Sequence, residues 1–141
     1  MDTGTALADI LLPGVTASVP VARHCVRAVL AGAGCQVGDV LLVVTELVAN
    51  AVEHTRSGIP GGRICIKIQR VTDGLIGIEV VDFGAPTVPY PRKPLECWES
   101  GRGLGLVDAL SETWGVRRFG EEQSAVWAHV LVDMKEENVV R

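Results

Sequence analysis

The sequence predicts an α+β fold, a two-layer sandwich with a mostly antiparallel sheet and helices packed on one of its faces. Three observations lead there. The segments come in blocks, read as strand, helix, helix, two strands, loop, helix, two strands, rather than in strict alternation. The run "RICIKIQR", residues 63–70, sets Ile64, Ile66 and Ile68 against Cys65, Lys67 and Gln69, the period of a half-buried strand. The run from about Gly38-Asp39 to Thr55 carries Leu41, Val44, Leu47, Val48, Ala51 and Val52 as one helical stripe. With 141 residues and nearly half of them apolar, a single domain over 1–141 can bury a core.

Taken in order, "ALADILLPGVTASVP" is apolar with a turn at Pro13-Gly14 and can hold a strand. Ser18 is placed to cap the next helix, and Pro20 suits its first turn. Val21, Cys25 and Val29 form one helical row, Ala22, Val26 and Leu30 another, and Gly32 and Gly34 stop them. After the second helix, "RSGIPGG" cannot continue a helix. "LIGIEVVDF" is the partner of 63–70, joined to it at Asp73-Gly74 as a hairpin, and the strand ends at Asp82. From Gly84 to Gly101 the periodicity lapses, and Pro86, Pro89, Pro91 and Pro94 fall close together in a long loop. "GRGLGLVDALSETW" then opens a helix from about Leu104 to Ser111. "WGVRRFG" and "SAVWAHVLVDM" make a last hairpin turning at "GEEQ", and "KEENVVR", 135–141, is a tail.

Composition closes several routes. A formal charge of −4 does not suit direct nucleic-acid binding, and the pairs Arg117-Arg118 and Arg92-Lys93 read as solvated surface. Cys25, Cys35, Cys65 and Cys97 include no C-x-x-C and no zinc-finger spacing to histidine. With no secretory start, the cysteines read as reduced thiols in a cytoplasmic protein, Cys25 and Cys65 serving as small core residues. No apolar run is long enough to span a membrane. There is no Walker loop, no G-x-G-x-x-G, no G-x-S-x-G elbow and no H-E-x-x-H. His24 and His129 have no recognisable partners, and Trp98, Trp114 and Trp127 read as packing.

Three stretches carry chemistry. In "ELVANAVEH", Glu46 and Asn50 are four apart and share a helix face, His54 continues the row, and Glu53 flanks it. Polar groups clustered along an apolar helix mark either a solvent edge or a polar ligand. An amide oxygen on Asn50 suits Mg²⁺, and a carboxylate one turn away suits proton acceptance. In "VVDFG", Asp82 closes an apolar strand where it can accept a hydrogen bond from an exocyclic amine, and Gly84 leaves room for a flat ring. In "GRGLGL", Gly101, Gly103 and Gly105 precede a helix, whose free N–H groups and dipole favour phosphate. Each alone is also readable as an ordinary amphipathic helix, turn or hinge.

Together and in this order, the three stretches resemble the GHKL ATP-binding family, with its Bergerat-type sandwich, and most of all the anti-sigma-factor serine/threonine protein kinases. The resemblance runs from about Ala17 to Val132. It implies that Asn50 holds Mg²⁺ against the phosphates of ATP, that Glu46 is the general base, and that Asp82 reads the adenine amine beside Gly84. It implies phosphate contacts from Gly101, Arg102, Gly103, Leu104, Gly105 and Leu106, and a flexible ATP lid over Ala85 to Ser100. One departure stands out. The family often has a threonine just before the Val-Trp of the last strand, and here Ala125 takes that place. Strand alternation is expected to send the adjacent Ser124 to the other face unless a small register change brings it back or water fills in, so the departure bears on ATP affinity more than on the fold.

The implied activity is regulatory: phosphorylation of a serine on an antagonist protein, with sequestration of a sigma factor. The alternative is a nucleotide-responsive binding module that never transfers phosphate. Implied partners are a sigma factor, an anti-sigma-factor antagonist, or both. Relatives of this type are often dimers, so a homodimer is among the expectations. No membrane or direct nucleic-acid partner is expected.

Overall fold

Alternating apolar side chains can bury only one face of a strand, so the five strands here need a helical layer on one side and leave the other side open. The computed structural model describes residues 4–55, 61–84, 102–119 and 123–133. In chain order these form β1 (Thr5–Pro13), α1 (Ser18–Gly32), α2 (Gly38–Thr55), β2 (Arg63–Thr72), β3 (Leu75–Gly84), α3 (Arg102–Leu110), β4 (Thr113–Phe119) and β5 (Gln123–Leu131). The sheet runs β1-β2-β3-β5-β4, antiparallel at every pairing. The predicted α+β sandwich is therefore observed. The lid at 85–100, the tail at 135–141, Cys97 and Trp98 lie outside the described residues.

Register decides which side chains meet the helices. Ile64, Ile66 and Ile68 on β2 stand opposite Asp82, Val80 and Ile78 on β3. Those three stand in turn opposite Ser124, Val126 and Ala128 on β5. All nine are buried. Against this face α2 lays Val40, Leu41, Val43, Val44, Leu47, Val48, Ala51 and Val52, and α1 lays Ala22, Val26 and Leu30. Each fully buried Leu, Ile or Val contributes roughly 1.5–3 kcal/mol of hydrophobic stabilisation. The short α3 joins the same core through Leu104 and Val107.

Three local expectations are corrected. Ser18 does not cap α1: the capping position is Ala17, which makes no side-chain bond. Ser18 is buried instead and donates its hydroxyl to the Pro13 carbonyl at 2.6 Å, tying the end of β1 to the helix. Cys25 and Cys65 are only half-buried, and the fully buried thiol is Cys35, between α1 and α2. The reason is position. Cys25 flanks the Ala22–Val26–Leu30 row, and Cys65 alternates with the isoleucines onto the opposite face. The three described cysteines are thiols, that of Cys35 directed to the Ala33 carbonyl, and burial pushes the Cys65 thiol above its ordinary pKa. Finally, α3 runs from Arg102 to Leu110, so the Gly-rich stretch is helical from Arg102 onward rather than a turn before Leu104.

The hairpin at Asp73-Gly74 forms as read from the sequence, with Gly74 at φ 84°, a conformation side chains other than glycine's rarely adopt. Across the open face, Asp9, Lys67, Glu79 and Trp127 stand in register on β1, β2, β3 and β5. Trp127 faces Gly115 on β4, where a Cβ would lie 2.9 Å from the indole. On the same face, Arg117 on β4 reaches Glu79 on β3 at 2.6 Å, so its side chain passes over β5.

Candidate functional site

The helical layer brings the three chemistry-bearing stretches toward one another. α2 packs on β3 on one side and on α3 on the other. Glu46 and Asn50 lie on α2, Asp82 near the end of β3, and Gly103, Leu104, Gly105 and Leu106 on α3. Gly84 closes β3, paired with Arg63. Arg102 and Gly103 are helical in backbone, and Gly101 lies outside the described residues.

On α2 the polar row sits at the margin of the apolar stripe because 3.6 residues per turn separate it from Val43, Val44, Leu47 and Val48. Glu46 and Asn50 are both half-buried, whereas Glu53 is exposed. The Asn50 side chain has a buried Nδ2 with no hydrogen-bond partner. A buried amide left unpaired costs on the order of 1–3 kcal/mol, and such groups in native proteins are satisfied by water, ion or ligand. Immediately before Glu46, Thr45 donates its hydroxyl to the Leu41 carbonyl at 2.7 Å, so that hydroxyl is committed to its own helix.

Asp82 is wholly buried. Its side chain is on the helix-covered face, opposite Ile64 on β2 and Ser124 on β5. A carboxylate kept there must be matched by donors, because burying an unsatisfied charge is far costlier than burying an amide. Ser124, itself 2% exposed, is the residue directly across the strand pair from it. This overturns the expected geometry. Ala125, not Ser124, points away: it pairs with Val81 on the open face, beneath the path of Arg117. The hydroxyl the sequence seemed to misplace stands beside Asp82. Counting two residues back from the inward-facing Val126 would have found it.

The glycines of α3 answer a different question. Two glycines in a nine-residue helix cost about 1 kcal/mol each relative to alanine. At Gly105 nothing among the described residues requires that cost. It is helical and exposed, and apart from its chain neighbours and its own helix's backbone no atom of the described residues lies within 4 Å of where a Cβ would be. Leu104, by contrast, is a core residue, so any phosphate contact from it would come from its backbone. Leu106 is half-buried. The donor set thus suits an anionic ligand with a hard cation. An unpartnered amide sits on α2, a bare helical backbone on α3 and a buried acceptor on β3. Among the described residues no group of three or more His, Cys, Asp or Glu is arranged to hold a metal by itself.

Comparison with known proteins gives this arrangement its class. Residues 12–130 match the model of the histidine kinase-like ATPase domain, and the chain belongs to that family. The uncharacterized protein SCO4941 of Streptomyces coelicolor is 29% identical over 84 residues, covering 57% of this chain and 75% of that protein. The fold resembles the crystal structure of the RsbU and RsbW domains of Rv1364c from Mycobacterium tuberculosis, with a TM-score of 0.65 and 20% identity. That match covers 95% of this chain but only 34% of the other, so the chain spans about a third of its length. Family membership implies ATP binding. Among the described residues no helix is long and apolar enough to cross a membrane.

Proposed function

We propose that this domain is a cytoplasmic regulatory serine/threonine protein kinase of the anti-sigma-factor type. It binds ATP with Mg²⁺ and phosphorylates a serine on an antagonist protein, and it can sequester a sigma factor. The observation that carries the reading is the buried, unpartnered amide of Asn50, one helical turn from Glu46 on the helix that packs on both β3 and α3. The unpaired atom is the Nδ2 donor, so an acceptor oxygen such as a phosphate's would complete it, while a cation would be held by the oxygen of the same amide.

Each residue then has a task that follows from its surroundings. Asp82 accepts from the exocyclic amine of adenine, and Ser124, across from it, supplies a hydroxyl that can donate or accept as the base requires. Asn50 would hold Mg²⁺ through its amide oxygen, and the ion when bound neutralises charge on the phosphates. The first turn of α3, with Gly101 just before it in the sequence, offers its free N–H groups and the positive end of the helix dipole to phosphate oxygens, and Gly103 and Gly105 keep side chains out of the way. Arg102 adds a cation there. Glu46 accepts the proton of the incoming serine hydroxyl, which makes that oxygen a better nucleophile.

The test is transfer of label from γ-³²P-ATP to the purified cognate antagonist. Transfer that disappears in Glu46→Gln, while that variant still binds ATP by calorimetry, is the expected result. Binding without transfer in the parent protein would favour a nucleotide-responsive binding module instead. No binding of ATP or ADP at millimolar concentration would remove both readings.

A further inference from the structure

We draw no further inference here: the strongest candidate, the groove on the open face of the sheet between Asp9, Lys67, Glu79, Arg117 and His129, carries nothing because Glu79 is already paired with Arg117 and nothing in the structure shows what covers the face.

Discussion

The two faces of the sheet solve different problems with neighbouring residues of the same strands. On β5, Ser124, Val126, Ala128 and Val130 look toward the helices and are buried. Gln123, Trp127 and His129 look the other way and are only half-buried. The first face is uniform and apolar until its end, where Asp82 and Ser124 interrupt it side by side. The second mixes charge, indole and imidazole throughout, with Trp127 and His129 rings 5.2 Å apart. Polar residues on the open face need no special account, because water satisfies them. Polar residues at the end of the closed face do. The lesson is that a buried polar pair is informative because its surroundings are not polar.

That contrast can be tested where its effect is largest. Leu47, 1% exposed beneath the sheet, should cost about 2–5 kcal/mol as Leu47→Ala. Leu11, 57% exposed on the open face, should change stability by no more than about 0.5 kcal/mol as Leu11→Ala. Denaturant titration of both variants measures the gap, and equal costs would mean that the open face is covered in solution.

Next in size is Asp82→Asn. It removes the charged acceptor but keeps the shape, and ATP affinity should fall by about 1–3 kcal/mol, roughly 5- to 150-fold. Calorimetry gives the number, and circular dichroism checks that the fold survives. Unchanged affinity would mean that Asp82 is a structural residue alone.

A finer comparison concerns adjacent residues. Ser124→Ala should weaken ATP binding by about 0.5–1.5 kcal/mol, the usual worth of one hydrogen bond. Ala125→Thr should restore or improve nothing, since position 125 pairs with Val81 on the open face. An Ala125→Thr variant that binds ATP more tightly would show that the strand is shifted by one residue in solution.

The smallest effect is expected at Gly105→Ala. With open space around its Cβ, the change should stabilise the fold by about 0.5–1 kcal/mol while lowering nucleotide affinity. A variant that gains stability and keeps its affinity would free Gly105 of any role at the phosphates.

Much of this was legible in the chain itself. Ile64, Ile66 and Ile68 announced both the strand and its buried side, and the stripe from Leu41 to Val52 announced the helix above them. Asp73-Gly74 gave the hairpin because few residues adopt the backbone that Gly74 takes. What stayed hidden depends on partners. Ser18 reads as a cap by residue type, yet a nearby Pro13 carbonyl claims its hydroxyl. The sequence orders Ser124 and Ala125 but cannot say which of them lies opposite Asp82, because that is a property of pairing between β3 and β5. The start of α3 was obscured by its glycines, which disfavour a helix locally while packing of Leu104 and Val107 supports one. The site was readable as three stretches, and the expectation that they share one nucleotide came from the family resemblance rather than from their spacing in the chain.

That α2 carries core stripe and polar row on one rod has a thermodynamic consequence. Occupancy of the row and integrity of the rod are linked quantities: a ligand that binds only the folded chain raises its unfolding free energy by about 1.4 kcal/mol for each tenfold excess over its dissociation constant. On the proposed reading, the resistance of this protein to thermal or proteolytic loss follows the concentration of free nucleotide around it.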